Sequence, residues 1–225
     1  PSNTQCFVAA VDAGGQLIWT EYLGSDETDE CWHLTADESG VYIGGYYGAP
    51  SFFERGVLVA QFTHVGELVW ATDPDTIRRG YAAQLAARPG GGVYAIGRDD
   101  DAGLAFLEGF DAEGSSLGSA EFEGLSARDL RLLPTGWLIA GHSDGPLVGE
   151  AALSPMDAVL LQGVGWEGAS VERYSASSNS LEGFSDVATN STGQFSALGY
   201  TTGSFGQVEP TPGHEFMVLH GCELP

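Results

Sequence analysis

The feature that most constrains the fold of this chain is a pair of short hairpins that recurs about every 50 residues. In the first copy, Gln5–Tyr47, two apolar strands flank a Gly-containing turn, and a second hairpin of similar length follows. Two kinds of hairpin alternate from there on. The first kind covers 7–19, 57–70, 104–118 and 158–172, and the second kind covers 32–45, 84–97, 129–141 and 186–199. A final strand, Glu215–Gly221, begins a fifth copy of the first kind.

Local chemistry favours strands throughout. Each turn carries Gly, usually after Asp, Asn, Ser or Thr, and these residues adopt or cap the backbone that a tight hairpin needs. The strands are short, and several are apolar on both faces, so we expect both faces to be covered. No segment has a 3.6-residue apolar period. The pattern predicts an all-β chain of four-stranded antiparallel sheets arranged as a β-propeller, and a solenoid is the alternative.

Three stretches carry a family resemblance: FVAAVDAGGQLIW (Phe7–Trp19), ADESGVYIGGY (Ala36–Tyr46) and GYTTGSFG (Gly199–Gly206). With them the chain resembles the SBBP repeat, a bacterial β-propeller repeat, over nearly its whole length. The likeness weakens in the third copy, where Gly118 takes the tryptophan position. The first stretch is also similar to the PQQ-type propeller repeat, which supports the propeller but not that cofactor. The resemblance implies a propeller fold and an exported, cell-surface setting, and it transfers no catalytic residues.

On this basis we expect a single propeller domain over residues 1–225. Its copies lie at about 5–47, 55–98, 103–142 and 157–201, with a partial copy at 214–221. Eight hairpins make four blades plus one extra strand, and a five-bladed ring with one incomplete blade is the alternative. The N-terminal hairpin is expected to complete the blade that begins with Asp186–Tyr200, which would hide the sheet edges. The strand Glu215–Gly221 then adds to that blade, displaces Phe7–Asp12, or pairs with another molecule.

Charge excludes some partners. The formal net charge is −23, and all eight basic residues are arginine. Such a chain repels phosphate backbones, so nucleic acid and anionic lipid are excluded as partners. No run of 18 apolar residues exists, so no membrane-spanning helix is expected. The acidity fits a protein that stays soluble in salty water, a composition bias, or Ca²⁺ binding.

The three cysteines are Cys6, Cys31 and Cys222, and none has zinc-site spacing. Cys6 and Cys222 lie next to the two chain ends. A disulfide that closes the ends is therefore expected in an exported protein, with Cys31 as a buried thiol.

Two connections between hairpins are rich in carboxylates. One contains Asp99, Asp100 and Asp101, and an equivalent one contains Asp26, Glu27 and Asp29. Ca²⁺ takes six to eight oxygen ligands, and carboxylates in loops supply some of them. Neither connection has a known calcium-loop spacing, so solvated loop charges are the alternative, and no other cofactor is expected.

A set of polar residues recurs at one position of the second-kind hairpins: His33, Gln84, Asp129 and Asp186. In a propeller these side chains would lie near the axis, where they could line a channel or hold a cation. The alternative is a set of hydrogen-bonded buried groups, for example Asp129 or Asp186 paired with Arg128 or Arg131.

Aromatic residues cluster in one connection and recur in its late equivalent. They are Tyr46, Tyr47, Phe52 and Phe53, with Tyr200 and Phe205 in the late copy. Exposed, they would suit a carbohydrate or peptide surface; buried, they would pack against a neighbouring blade.

No nucleophile motif is present. The sequence therefore favours a non-enzymatic, exported propeller that serves as a structural or binding module at the bacterial cell surface. Its partner would be a glycan, a protein, or a second copy bound through 215–221. The alternative is an enzyme that processes a polysaccharide or small molecule with Asp129 and Asp186.

Overall fold

The computed structural model describes residues 4–48, 55–73, 78–143, 156–166, 169–174, 181–202 and 215–222. Within these ranges the chain consists of strands and turns, and no helix is present that could cross a membrane. The all-β prediction is therefore confirmed. The chain divides into two compact units, residues 1–119 (unit 1) and 120–225 (unit 2). One domain over 1–225 stays a prediction.

Unit 1 is built from ten strands in its described residues, and the last of them crosses the border at residue 119. The strands are β1 (Cys6–Val11), β2 (Leu17–Leu23), β3 (Glu30–Asp37), β4 (Gly40–Tyr47), β5 (Gly56–Phe62), β6 (Leu68–Ala71), β7 (Gly80–Ala87), β8 (Val93–Asp99), β9 (Leu104–Phe110) and β10 (Ser116–Phe122). They form one two-stranded sheet, β1-β2, and two four-stranded sheets, β3-β4-β5-β6 and β7-β8-β9-β10. Each four-stranded sheet joins a second-kind hairpin to the first-kind hairpin that follows it, as expected.

The turns use the chemistry that the sequence predicts. In the β1–β2 turn, Asp12 Oδ1 accepts the N–H groups of Gly14 and Gln16, each at 2.8 Å. Asp111 makes the same pair of bonds in the β9–β10 turn. Gly15 follows with a φ of 79°, a conformation that other residues rarely adopt. Side-chain capping and a glycine at positive φ therefore fix the hairpin register.

The sheets of unit 1 pack face to face. One apolar cluster lies between β1–β2 and the β3–β6 sheet and includes Cys6, Val8, Ile43, Tyr47, Leu58, Ala60 and Phe62. A second lies between the β3–β6 and β7–β10 sheets and includes Tyr42, Val57, Val59, Ala82, Leu85, Val93, Ala95, Phe106 and Phe110. Tryptophans fasten the outer hairpins, because Trp19 lies on the turn glycine Gly66 and Trp70 lies on Gly114. A methyl group on either glycine would meet the indole within 2.8 Å.

Unit 2 repeats the arrangement. Its strands are β11 (Leu125–Leu132), β12 (Trp137–Ser143), β13 (Asp157–Gly163), β14 (Ala169–Tyr174), β15 (Glu182–Thr189), β16 (Gln194–Thr201) and β17 (Glu215–Cys222). They form the sheets β11-β12-β13-β14 and β15-β16-β17. The core between these sheets comprises Leu133, Leu138, Ala140, Ala158, Leu160, Phe184, Val187, Phe195 and Ala197.

The prediction that the N-terminal hairpin completes the last sheet is wrong in this structure. β17 pairs with β16 from Gln194↔Cys222 to Thr201↔Glu215 and occupies the edge that Phe7–Asp12 was expected to take. β1 pairs with β2 instead and lies on the β3–β6 sheet. Of the three expected roles of the extra strand, displacement of Phe7–Asp12 is the one observed. The reason is that β17 follows β16 in the same unit, as β5 follows β4.

The predicted disulfide is also wrong. Cys6 is bonded to Cys31, not to Cys222, and the two Cα atoms are 5.3 Å apart. Because β1 packs on the β3–β6 sheet, its first residue lies opposite the start of β3. Cys31 is therefore not a free buried thiol. The bond ties the β1–β2 hairpin to the sheet beneath it.

Candidate functional site

The recurring polar positions sit at a repeated irregularity of the backbone. In β3, β7, β11 and β15 the strand register shifts by one residue immediately before His33, Gln84, Asp129 and Asp186. A bulge of this kind leaves one backbone group without its ladder partner. The four residues are thus structurally equivalent, as the sequence alignment of the hairpins predicted.

In both units the side chain at this position accepts a hydrogen bond from the next sheet. The N–H of Leu85 donates to Nδ1 of His33 at 3.2 Å. The N–H of Val187 donates to Oδ2 of Asp129 at 2.9 Å. Leu85 and Val187 are the residues that follow Gln84 and Asp186, so the donor stands at the same place after the bulge in each case. We call this side-chain-to-backbone bond the bulge clamp.

Asp129, Asp186 and Arg131 form a compact ionisable cluster in unit 2. Arg131 Nη1 lies 2.9 Å from Asp129 Oδ1, and its Nη2 lies 3.2 Å from Asp186 Oδ1. Burial, followed by a hydrogen bond with Asp186, raises the pKa of Asp129 to about 7. The hydrogen bond from Asp129 lowers the pKa of Asp186, and Arg131 acts in the same direction. Below about pH 7 the proton of the pair therefore resides on Asp129 and the negative charge on Asp186.

The geometry of this cluster suits a structural role. Asp129 is only 3% exposed, and its two oxygens already accept the N–H groups of Leu130 and Val187. A substrate would reach only Asp186, whose side chain is 62% exposed. The structure therefore brings the two predicted axial carboxylates together as hydrogen-bonded groups paired with Arg131, in the manner of the bulge clamp. His33 holds its own clamp in unit 1, where Gln84 is half-buried on β7.

The three aspartates expected to bind Ca²⁺ are paired with arginines. Asp100 lies 2.8 Å from Arg55 and 3.8 Å from Arg98, Asp99 lies 3.3 Å from Arg78, and Asp101 lies 3.8 Å from Arg79. Arg55 is nearly buried and also lies over the Tyr81 ring, 4.4 Å from its centroid. These pairs neutralise the carboxylates that a cation would need. This pairing was not predictable from the sequence pattern, because most of these arginines lie 20 to 45 residues from their aspartates.

In the equivalent acidic connection, backbone N–H groups donate hydrogen bonds to a buried carboxylate. Asp29 is buried, and its carboxylate accepts the N–H groups of Ser25 and Gly48 at 2.6 and 2.8 Å. Asp26 and Glu27 are exposed. Among the residues that the structure describes, no group of three or more His, Cys, Asp or Glu is placed to hold a metal ion. Calcium binding stays a prediction.

Two of the predicted aromatic binding residues are buried. Tyr46 and Tyr47 are each 6% exposed, and Tyr46 packs edge-on against Trp32. Burial raises the pKa of Tyr46, and burial followed by the charge of Asp29 raises the pKa of Tyr47 to about 12. Both therefore serve packing, the second of the two alternatives that the sequence left open. Tyr200 is partly buried with its hydroxyl 3.3 Å from Met156 Sδ, and Phe52, Phe53 and Phe205 lie outside the described residues.

The exposed apolar surface lies elsewhere, on the β1–β2 hairpin. It carries five large apolar side chains that are each 61–67% exposed: Phe7, Val11, Leu17, Ile18 and Tyr22. We call these five residues the hairpin face. The sequence shows that this hairpin is apolar on both sides. From that pattern we expected both sides to be covered, and one set of these side chains is exposed instead. The positions equivalent to Phe7 in the next two sheets, Leu58 and Phe106, are at most 1% exposed.

No protein-family model matches the chain, and no curated protein matches it significantly.

Proposed function

We propose that this chain is an exported, non-enzymatic β-propeller module that binds a protein partner at the bacterial cell surface. The observation that carries the proposal is the hairpin face, five large exposed apolar side chains on one hairpin of a protein with a net charge of −23. Exposed apolar patches of this kind mark interaction sites. A protein partner is favoured over a glycan because Tyr46 and Tyr47 are buried.

The remaining parts of the proposal have separate support. The Cys6–Cys31 disulfide favours an oxidising compartment outside the cytoplasm. Stacked antiparallel sheets, three of them four-stranded, favour propeller blades, and the resemblance to SBBP repeats points the same way. On the blade count, β3–β6, β7–β10 and β11–β14 would be three complete blades, with β15–β17 and β1–β2 as incomplete ones.

Binding of the labelled, disulfide-bonded protein to intact cells of the bacterium that encodes it tests the proposal. We expect saturable binding that Tyr22→Asp weakens at least about tenfold, because a charge placed in a buried apolar contact is costly. Val65→Asp is the matched control, since Val65 is also exposed but lies in the β5–β6 turn. Saturable binding that both variants reduce equally, or no saturable binding, would contradict the proposal.

The alternative is an enzyme that uses Asp129 and Asp186. Its support is the proximity of the two groups and the pKa of about 7 at Asp129, which suits a proton donor near neutral pH. A screen of the purified protein against glycosides, repeated with Asp186→Asn, tests this candidate. Hydrolysis that disappears in the variant would favour the enzyme over the binding module.

A further inference from the structure

Leu34 is exposed, whereas the residue at the equivalent position in the following sheet of unit 1 and in the last sheet of unit 2 is buried. Leu34, Leu85 and Val187 each follow the bulge on the first strand of their sheets. Leu85 and Val187 are 1% exposed, because the preceding sheet of the same unit covers them. Leu34 is 53% exposed, and Ala36 beside it on β3 is also exposed. β3 thus has an uncovered strip next to the place where β1–β2 ends.

The hairpin that borders this strip has an unused edge. In the part of the chain that the structure describes, β1 pairs with β2 alone. Its counterparts β5, β9 and β13 each pair on both sides, with a second-kind hairpin on the side that β1 leaves open. The missing neighbour of β1 and the missing cover of Leu34 would lie in the same place. One second-kind hairpin, added to the edge of β1, would supply both.

A hairpin with matching features is present at the far end of the chain. On β15–β16, Asp186 and Leu198 are paired across the two strands, and Leu198 is 44% exposed. Asp186 holds the position from which His33 and Asp129 clamp the next sheet, and its side chain is exposed. The N–H that such a clamp requires belongs, by position after the bulge, to Leu34. The strip at Leu34 and the exposed side of β15–β16 at Asp186 and Leu198 thus correspond to the two sides of the sheet-to-sheet contact that is formed once inside each unit.

We propose that β15–β16 of a second copy of this chain adds to the edge of β1 and covers Leu34, with Asp186 of that copy accepting the N–H of Leu34. β17 occupies the edge of β16 in the single chain and gives it up to β1 in the complex. One antiparallel ladder replaces another of the same kind, so the net gain is the sheet-to-sheet contact over Leu34 and Leu198. This proposal shares with the proposed function only the view of the chain as an interaction module.

Like charges oppose the association. Each copy carries −23, and salt screens repulsion between exposed charges. The complex should therefore form more readily at high ionic strength. It should also form more readily when β17 is weakened, because β17 and β1 compete for the same edge of β16.

Sedimentation velocity and light scattering of the full purified chain, from low micromolar upward in high salt, provide the test. We expect concentration-dependent association that Leu34→Asp weakens at least about tenfold and that Asp186→Asn weakens less. Leu219→Pro, which interrupts the β16–β17 ladder at its pairing with Ala197, should strengthen it. Val65→Asp and Tyr22→Asp should leave it unchanged, because neither residue lies on the proposed contact.

Three outcomes would overturn the proposal. The first is that the chain and Leu219→Pro both remain monomeric at every concentration. The second is a monomer whose thermal stability falls in Leu34→Asp, which would mean that the chain covers its own Leu34. The third is association that Tyr22→Asp abolishes, since the hairpin face would then be the contact. Loss of cell binding in Tyr22→Asp with self-association intact would separate the two proposals.

Discussion

His33 and Asp129 hold the same position in two different units, and each accepts a hydrogen bond from the first strand of the next sheet. In unit 1 the acceptor is a ring nitrogen of His33, to which the N–H of Leu85 donates. In unit 2 it is a carboxyl group that also contacts Arg131 and shares a proton with Asp186. The backbone places a hydrogen-bond acceptor at this position in both units. The type of acceptor residue determines how the bulge clamp changes at low pH. An imidazole protonated on both nitrogens cannot accept a bond, but a protonated carboxyl group still can.

The largest expected effect comes from removing the acceptor in unit 2. Asp129→Leu leaves the N–H of Val187 buried without its partner and removes the carboxyl group that contacts both Arg131 and Asp186. We expect the free energy of unfolding to fall by about 3 kcal/mol, measured by urea denaturation at neutral pH. Asp129→Asn is the matched control, because its amide oxygen can still accept the bond. Equal losses in both variants would mean that the clamp is not the source of the effect.

A smaller loss is expected from the corresponding change in unit 1. His33→Ala removes one neutral acceptor from the N–H of Leu85, which should cost about 1–2 kcal/mol of unfolding free energy in the same assay. His64→Ala is the control, since His64 bonds the carbonyl of Asp37 on an exposed turn and its loss should cost less. If His33→Ala costs as much as Asp129→Leu, the extra partners of Asp129 contribute nothing.

The third expected effect is a change in pH dependence. The pKa of Asp129 is about 7 in the folded protein, against an ordinary value of 3.8. Between about pH 4 and pH 7 the folded state therefore binds more protons at this site than the unfolded state, so its contribution to stability falls as the pH rises. Asp186, whose pKa is lowered, stays ionised across this window. Relative to wild type, Asp129→Asn should therefore gain up to about 2–3 kcal/mol of unfolding free energy between pH 5 and pH 8 at constant high salt.

Urea denaturation of wild type and of Asp129→Asn, at pH 5 and at pH 8, measures how the stability difference between them changes with pH. A constant difference between wild type and Asp129→Asn would show that Asp129 titrates alike in both states. Wild type gaining on the variant as the pH rises would show that burial does not raise its pKa.

The fold was largely readable from the sequence where structure is local. The turns at Asp12 and Asp111 depend on side chains two to four residues from the groups they cap, and the hairpins formed as predicted. The Cys6–Cys31 pairing was missed because it depends on which sheet β1–β2 lies against, a long-range choice. The polar positions were found by counting residues back from each turn, yet the bulge before them was not. A bulge is a property of the backbone register and has no fixed residue signature.

The bulge clamp also sets a rule for how a chain of this kind can be lengthened or shortened. In each unit the first four-stranded sheet supplies the acceptor and the sheet after it supplies the donor, so this pairing survives only when whole sheets are added or removed. Inserting a single hairpin would bring a first-kind strand against the acceptor, and the first-kind strands β1 and β5 have their register shifts near the hairpin turn instead. Fusion, duplication or trimming of this protein should therefore be planned between β6 and β7, or between β14 and β15, where one four-stranded sheet ends and the next sheet begins.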